Sequence, residues 1–200
     1  MKLLTIEQRC ICGRSIKGND AVKFLCSHCN VLYEIKMIGL FIGRFQPFHN
    51  GHLEVVKRAL KEVSHIVIIV TVPLRKTSKD PFSAEERKDM IRNALHDEKI
   101  GNFSLFVVND IPSDDEYVGH VRQHVHNFNI VYVGENRLNE KLFSDAGYTV
   151  IASDRYFNIS STDVREDMLR NGDKWKRMVP KAVVEYIGKK ELEKKVRKTS

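Results

Sequence analysis

The sequence lacks the features that most directly assign a chain to a class. No apolar run approaches the roughly 20 residues that cross a bilayer, and the N-terminus becomes charged too soon for a signal peptide. Neither a Walker loop nor a Gly-x-Gly-x-x-Gly fingerprint is present. These absences argue against a membrane partner and against the two most familiar phosphate-binding loops, and we expect a soluble, cytoplasmic protein.

Cysteine is also scarce, and it occurs in one part of the chain only. The four cysteines are Cys10, Cys12, Cys26 and Cys29. Two close pairs separated by a loop are how a short chain builds a tetrahedral thiolate site, and four soft thiolates favour Zn²⁺. Two disulfides are the weaker interpretation because the cytosol keeps thiols reduced, and four free thiols would leave the pairing unexplained. We therefore expect a structural zinc site.

Basic residues outnumber acidic ones, but the excess is confined to the two ends. The net charge is +7, yet residues 37–187 hold 21 basic and 21 acidic residues, whereas residues 188–200 hold six and two. A core that binds nucleic acid would itself be basic, so nucleic acid is not the favoured partner. Residues 189–198 have few apolar side chains and are expected to form a frayed helix or to be disordered.

These distributions predict three parts. Residues 1–36 form a zinc-ribbon-like domain with short strands at 21–25 and 31–35, since so short a segment buries too little surface to fold without a metal or a neighbouring domain. Residues 37–187 form the main domain, and residues 188–200 form a basic tail.

Apolar runs and helical patterns alternate along residues 37–187. Runs typical of buried strands occur at 37–42, 65–72, 103–109, 130–133 and 148–152, and helical segments occur at 53–60, 83–95, 114–127, 135–146, 160–170 and 180–187. Such alternation predicts a Rossmann-like α/β fold, in which helices cover both faces of a parallel sheet. Ligands of these sheets bind beyond the carboxyl ends of the strands, near the point where strand order reverses.

The stretch between the first strand and the first helix reads Gly-Arg-Phe-Gln-Pro-Phe-His-Asn-Gly-His, from Gly43 to His52. A strand, a glycine-rich turn and a helix in this order aim backbone N–H groups and a helix N-terminus at a ligand, which makes a natural anion site. A second helix start at Ser160-Ser161-Thr162 offers hydroxyls to an anion as well. Taken alone, the histidine pair would more often be a surface feature, and the hydroxyl run would be a plain N-cap.

Together the two stretches resemble the signatures of the HxGH nucleotidyltransferase superfamily. The second stretch, residues 159–165, matches Ile-Ser-x-Thr-x-x-Arg. The residues of the first stretch are most similar to those of the archaeal-type nicotinamide-mononucleotide adenylyltransferases. The resemblance covers about residues 37–187. It implies transfer of AMP from ATP to nicotinamide mononucleotide (NMN), giving NAD⁺ and pyrophosphate, with Mg²⁺ bridging the triphosphate, in a homo-oligomer.

The resemblance also implies roles for particular residues. His52 would stabilise the transition state, and His49 would hold the triphosphate. Arg44 can pair with a phosphate in a bidentate way, and Arg165 can reach the leaving phosphates. The remaining residues expected to bind ATP and its phosphates are Gly43, Phe45, Gly51, Lys76, Ser160, Ser161 and Thr162. Lys76 belongs to a loop, residues 75–87, whose basic residues are equally consistent with simple exposure to solvent.

The sequence departs from the family at the acceptor site. Residues 72–77 replace a segment that contains Ser-His-Thr in the family, and Tyr117 stands where the family has a tryptophan that stacks on the pyridine ring. A tyrosine ring can still stack, although Tyr117 packing in the core fits equally well. ATP use therefore follows more directly than the acceptor. FMN or phosphopantetheine as acceptor, or CTP as donor, are alternatives within this class.

An alternative from another class is a binding module without turnover, in which a zinc ribbon with basic ends contacts RNA or a nucleotide. The presence of His49, His52, Thr162 and Arg165 together argues against it. A degenerate site would be expected to have lost at least one of them.

Overall fold

The computed structural model describes residues 5–9, 15–19, 23–25, 28–34, 37–134, 137–152 and 158–198. The chain separates into two compact units, Met1–Met37 and Ile38–Ser200. Each unit is described by itself below.

The first unit contains two antiparallel hairpins. Strand β1 (Thr5–Arg9) pairs with β2 (Ser15–Asn19), and β3 (Lys23–Leu25) pairs with β4 (Leu32–Glu34). Strands β3 and β4 lie within the two short strands that the sequence predicts, whereas the sequence gives no prediction for β1 and β2. Each hairpin connection contains one of the cysteine pairs in the sequence.

The second unit is built on a five-stranded parallel sheet. Its strands are β5 (Ile38–Gly43), β6 (His65–Val72), β7 (Phe103–Asn109), β8 (Ile130–Val133) and β9 (Thr149–Ala152). They are arranged in the order β7-β6-β5-β8-β9, with every neighbouring pair parallel. The chain moves outward from β5 to β7 and then returns to the other side of β5. The strand order therefore reverses between β5 and β8, where such sheets bind ligands.

Helices surround this sheet, and the predicted Rossmann-like α/β fold is confirmed. They are α1 (Asn50–Ala59), α2 (Ala84–Asp97), α3 (Asp114–His124), α4 (Arg137–Asp145), α5 (Ser161–Leu169), α6 (Trp175–Met178), α7 (Lys181–Lys189) and α8 (Glu193–Lys198). Among the described residues, none of the helices combines the length and the apolar character needed to cross a membrane.

Side-chain caps fix where two functionally placed helices begin. Ser83 accepts a hydrogen bond from the backbone N–H of Glu86 at 3.2 Å, and the Glu86 carboxylate accepts one from the Ser83 N–H at 2.8 Å. This is the capping box that the sequence predicts at the start of α2. Ser160 and Asp163 form the same reciprocal pair at the start of α5. Both helices therefore begin at defined positions beyond the sheet.

The expectation of a frayed or disordered segment at 189–198 is wrong. Helix α8 packs against α5, and Leu192 and Val196 are buried, with exposures of 3% and 1%. Lys195 also donates to the Glu86 carboxylate on α2. Leu192 and Val196 are four residues apart and form only a narrow apolar stripe, which is hard to recognise among the charged residues of the sequence. The stripe is enough to hold the helix because it packs against α5.

Val196→Ala tests whether this last helix is part of the domain. We expect the free energy of unfolding to fall by about 2 kcal/mol, from lost burial and the cavity left behind. Lys198→Ala, at an exposed position on the same helix, should change it by less than about 0.5 kcal/mol. Chemical denaturation of both variants measures the difference, and equal stabilities would show that α8 does not pack on the domain.

Candidate active site

The first signature forms a buried loop beyond the carboxyl end of β5. Strand β5 ends at Gly43 and helix α1 begins at Asn50, and between them Phe45, Gln46 and Phe48 are at most 3% exposed. The Gln46 side chain binds both backbone groups of Phe82, since Nε2 donates to the carbonyl and Oε1 accepts from the N–H, each at 3.0 Å. This contact joins the loop to the segment that precedes α2.

Gly43 is required by the ring of Phe45. A Cβ atom at residue 43 would lie 2.9 Å from the Phe45 ring, closer than side-chain carbons approach one another. Phe45 itself has a φ of +51°, in the left-handed region that side chains rarely adopt. Its ring centroid lies 4.9 Å from that of His52. The glycine therefore permits the ring packing that surrounds the histidine.

His49 and His52 form a reciprocal pair at the N-terminus of α1. The backbone N–H of His49 donates to Nδ1 of His52 at 3.2 Å, and the backbone N–H of His52 donates to Nδ1 of His49 at 3.4 Å. The two rings stack with centroids 3.5 Å apart. Because each Nδ1 is an acceptor, each neutral ring carries its proton on Nε2. The Nδ1 atoms are thus occupied, and a neutral His52 presents its N–H donor from Nε2 at a helix N-terminus.

The surroundings of His52 keep its ring neutral. The ring is packed against Phe41, Phe45 and Phe48 as well as His49. This burial, and secondly the proximity of His49, hold the pKa of His52 well below the ordinary value of 6.5. At neutral pH, His52 is therefore a hydrogen-bond donor without a positive charge.

Two buried arginines hold the first signature from either side. Arg87, on α2, donates from Nη1 to the carbonyls of Arg44 at 2.6 Å and Thr71 at 2.7 Å. Arg165, on α5, donates from Nη1 to the carbonyl of Gln46 at 2.6 Å. Burial lowers the pKa of Arg87 to about 10 and also lowers the pKa of Arg165. Arg87 remains a cation at neutral pH, so a positive charge lies next to the loop that leads to the histidines.

The second signature lies directly against the first. Ser161 Oγ donates to the carbonyl of Pro47 at 3.0 Å, and Thr162 Oγ1 accepts from Nη2 of Arg165 at 3.2 Å. Ser160 Oγ donates to the Asp163 carboxylate at 2.6 Å. The sequence predicts an anion site at each of the two helix starts, and the structure brings the second start into contact with the loop of the first. It also places Arg165 in contact with the Gln46 carbonyl.

A cavity of about 330 Å³ opens beside this loop. Gly43 and Arg44 form one wall, and Tyr117 forms another. The remaining lining residues are Thr71, Pro73, Leu74, Asp110, Ile111, Asp114, Leu138, Asn139 and Leu142. The cavity lies at the edge where the sheet order predicts a ligand.

Tyr117 belongs both to the core and to the wall of the cavity. It is 8% exposed and packs edge-on against Phe143, with ring centroids 6.4 Å apart. Burial, and then the nearby Asp110, raise the pKa of Tyr117 to about 12. Burial also raises the pKa of the Asp110 carboxyl. The two interpretations that the sequence leaves open for Tyr117 are therefore compatible.

Other predicted site residues have less structural context. Lys76 is exposed on the loop between β6 and α2, and its contact with phosphate stays a prediction. Cys10, Cys12 and Cys26 lie outside the described residues, whereas Cys29 is half-buried in the second hairpin connection. Where the chain is described, no group of three or more histidine, cysteine or acidic side chains gathers as metal ligands would. The zinc site is untested.

Arg87 and Gln46, which hold the loop in place, are not among the site residues that the sequence predicts. Arg87 is the last residue of the Pro-Phe-Ser-x-x-Glu-Arg segment, so a signal for it was present although no contact could be predicted. Gln46 lies within the first signature, and nothing in its local pattern indicates that it binds Phe82. Both act on backbone groups far away in sequence, which a local pattern does not report.

The chain belongs to the cytidylyltransferase-like family, whose pattern matches residues 40–167. The family membership that the two signatures predict is thereby confirmed.

Curated relatives with one name in common resemble the chain within this family. The chain is 40% identical over 154 residues to a nicotinamide-nucleotide adenylyltransferase of Picrophilus torridus, covering 76% of this chain and 90% of the relative. It is 39% identical over 172 residues to the enzyme of that name from Ignicoccus hospitalis, covering 82% of this chain and 98% of the relative. These matches extend over most of both relatives.

Solved structures share the fold. A bifunctional NMN adenylyltransferase/ADP ribose pyrophosphatase from Francisella tularensis, complexed with AMP and a manganese ion, matches with a TM-score of 0.63 at 23% identity. The match covers 82% of this chain and 52% of the other, so this chain spans about half of that protein. A NadR protein complexed with NAD and AMP-PNP matches with a TM-score of 0.53 at 24% identity, covering 68% of this chain and 43% of that one.

The protonation state of His52 can be observed directly. We expect ¹⁵N NMR of the ring to show the neutral, Nε2-protonated form as pH falls through about 6.5, the usual histidine midpoint. His49→Asn keeps a good N-cap residue and should leave the pKa of His52 lowered, because burial is the larger cause. A midpoint at or above the usual value in the wild type would refute the neutral donor.

Proposed function

We propose that the protein transfers AMP from ATP to NMN, forming NAD⁺ and pyrophosphate. The observation that carries this proposal is the stacked histidine pair at the N-terminus of α1, in which His52 is neutral and carries its proton on Nε2, next to the loop that lines the cavity. The names of the curated relatives support it, because this chain covers 90% and 98% of two of them.

The reaction requires positioning and charge stabilisation rather than a covalent enzyme intermediate. A phosphate oxygen of NMN attacks the α-phosphorus of ATP, and the bond from that phosphorus to the pyrophosphate oxygen breaks. In this proposal His52 donates from Nε2 to an α-phosphate oxygen as charge develops there, and His49 holds the triphosphate. A neutral donor in a partly desolvated site stabilises that charge without a proton transfer.

Cations beside the loop complete the phosphate site in this proposal. Arg44 is exposed at the cavity and can bind phosphate in a bidentate way. Arg87 and Arg165 contribute positive potential while they fix the loop. Thr162, at the second helix start, and Lys76 would contact phosphates of ATP.

Mg²⁺ would accompany the triphosphate and neutralise charge on the leaving pyrophosphate. It takes oxygen ligands, commonly one or two carboxylates together with substrate phosphates. Asp110 lines the cavity and interacts electrostatically with Arg44, and it fits that requirement. A manganese ion in the Francisella tularensis structure is consistent with a divalent cation in such a fold.

The cavity suits the nicotinamide end of NMN. Its volume of about 330 Å³ is at the small end of ligand pockets. Tyr117, Ile111 and Leu142 provide apolar wall, while Leu74 and Leu138 remain 61% and 46% exposed at the lining, available to cover a flat ring. The carboxylate of Asp114 favours the cationic pyridinium of NMN. FMN, with a larger and uncharged ring system, fits less well.

The cellular setting follows from these substrates. ATP and NMN are water-soluble metabolites, and we place the protein in the cytoplasm. A homo-oligomer, as the family resemblance implies, is part of the proposal.

Release of pyrophosphate tests the acceptor. With ATP and Mg²⁺ we expect release with NMN and only background release with FMN or phosphopantetheine, because the cavity is small and acidic. Replacing ATP with CTP in the same assay shows which nucleotide is the donor. Release with FMN alone would replace the acceptor, and release with none of them would favour a binding module without turnover.

Tyr117→Leu tests the cavity as the acceptor site within the same assay. Loss of the ring should raise the KM for NMN about fivefold, the worth of one aromatic contact, and leave the KM for ATP unchanged. Tyr117→Phe keeps the ring and should behave as the wild type does. Equal effects of both substitutions on NMN and ATP would assign the tyrosine to the core alone.

We also propose that the first unit binds a structural zinc ion. Arg9 pairs with Ser15 and Leu25 pairs with Leu32, so each hairpin closes over a connection that contains a cysteine pair. Two hairpin connections that each supply two thiolates match the ligand set of a tetrahedral zinc site. The ligands would be Cys10, Cys12, Cys26 and Cys29, and the ion would supply stability that so small a unit lacks.

Cys29→Ser tests this site. We expect elemental analysis to find stoichiometric zinc in the wild-type protein and to find most of it lost in the variant, because a hydroxyl does not replace a thiolate ligand. His28→Ala, at an exposed neighbouring position, should retain the metal. Zinc content that is unaffected by Cys29→Ser would remove the proposal.

A further inference from the structure

Asp80 is a buried carboxylate beside the first signature. Its side chain is 2% exposed. Oδ2 accepts hydrogen bonds from Thr77, at 3.2 Å from the backbone N–H and at 2.8 Å from Oγ1. Oδ1 is buried, and none of the described residues donates a hydrogen bond to it. A buried carboxylate oxygen without a donor is costly, and a folded protein rarely keeps one without a function.

Three guanidinium groups act on this carboxylate. Arg87 and Arg165 interact with it electrostatically, but they donate to the backbone carbonyls of Arg44 and Gln46. Arg44 differs from them, because its side chain is 53% exposed and its Nη1 lies 3.7 Å from Oδ1 of Asp80. The oxygen that lacks a donor therefore faces the arginine that is free to adjust its position.

The carboxylate itself is rigidly placed. The backbone N–H of Asp80 donates to the Thr77 carbonyl at 2.9 Å, which closes a tight turn with the side-chain bonds. Two residues later, Phe82 is bound at both backbone groups by Gln46. Gln46 belongs to the same loop as Arg44. The anion and the arginine are therefore carried by segments whose separation is fixed.

We propose that Asp80 is a positioning residue for Arg44. Oδ1 anchors one edge of the Arg44 guanidinium while the other edge binds the triphosphate of ATP. A guanidinium holds five donors in a planar fork, so it can serve a carboxylate and a phosphate together. Binding of ATP closes the 3.7 Å separation to hydrogen-bond distance and supplies the missing donor to Oδ1. This inference rests on the proposed function, because it requires a triphosphate at the first signature.

An arginine that is oriented in advance loses less conformational freedom when its ligand arrives. In this arrangement Asp80 contacts no substrate and acts through Arg44 alone. Its effect should therefore disappear when the arginine is absent, which distinguishes it from a residue that only supports the loop.

Asp80→Asn tests the anchor, because the amide oxygen can still accept the Thr77 hydrogen bonds while the amide nitrogen replaces Oδ1. On the full chain, we expect calorimetric affinity for the magnesium complex of a non-hydrolysable ATP analogue to fall about tenfold, comparable to one hydrogen bond to a charged group. In an Arg44→Gln background, the same substitution should change affinity less than about twofold, since the two effects are coupled.

Thr77→Val is the matched control, because it removes a donor to Oδ2 and leaves Oδ1 and the charge in place. Its affinity for the analogue should equal that of the wild type. Unchanged affinity in Asp80→Asn, or an equal loss with and without Arg44, would overturn the proposal. These measurements use no acceptor. A wild-type protein that binds the analogue but makes no NAD⁺ refutes only the acceptor assignment, whereas one that binds no analogue refutes both proposals.

Discussion

The loop from Arg44 to Gln46 is held by two buried guanidinium groups, and the rest of the site depends on that restraint. Arg87 reaches the loop from α2, and Arg165 reaches it from α5. A charged donor makes a stronger hydrogen bond to a carbonyl than a neutral one does, but burying the charge is costly. The carbonyl acceptors and the buried Asp80 offset that cost. The same contacts fix the starts of two helices relative to β5.

This restraint contributes to the neutral state of His52 at the next helix start. Phe41 of β5 and Phe45 and Phe48 of the loop surround the ring of His52, and the backbone N–H groups of His49 and His52 donate to the Nδ1 atoms of the two histidines. The positive charge of the site comes from arginines instead. Arg87 stays protonated at neutral pH even though burial lowers its pKa. The site thus combines an uncharged donor, His52, with cationic arginines, which suits a ligand that carries several phosphate oxygens.

Much of the cavity wall comes from segments that follow the strands, and two of them, around Leu74 and Tyr117, are where the sequence departs from its family. Leu74 follows β6, Asp110 follows β7, Tyr117 lies in α3, and Leu138 lies in the first turn of α4. The sequence places each at the carboxyl end of a strand without indicating which of them meet. Tyr117 illustrates the limit, because its spacing indicates a core position and its family counterpart indicates a ligand contact. The structure shows the core position and also places the ring in the wall of the cavity, where its contact with a ligand stays a prediction.

By itself the sequence determined the five parallel strands of the main domain, the cap of α2 and the two signature loops. These features depend on periodicity and on hydrogen bonds between near neighbours, which a local pattern records. The tertiary structure alone decided that Arg165 bonds to the Gln46 carbonyl, 119 residues away, that Arg87 and Asp80 belong to the site, and that Val196 is buried. Each depends on which distant backbone or apolar surface lies opposite, and packing sets that partner rather than composition.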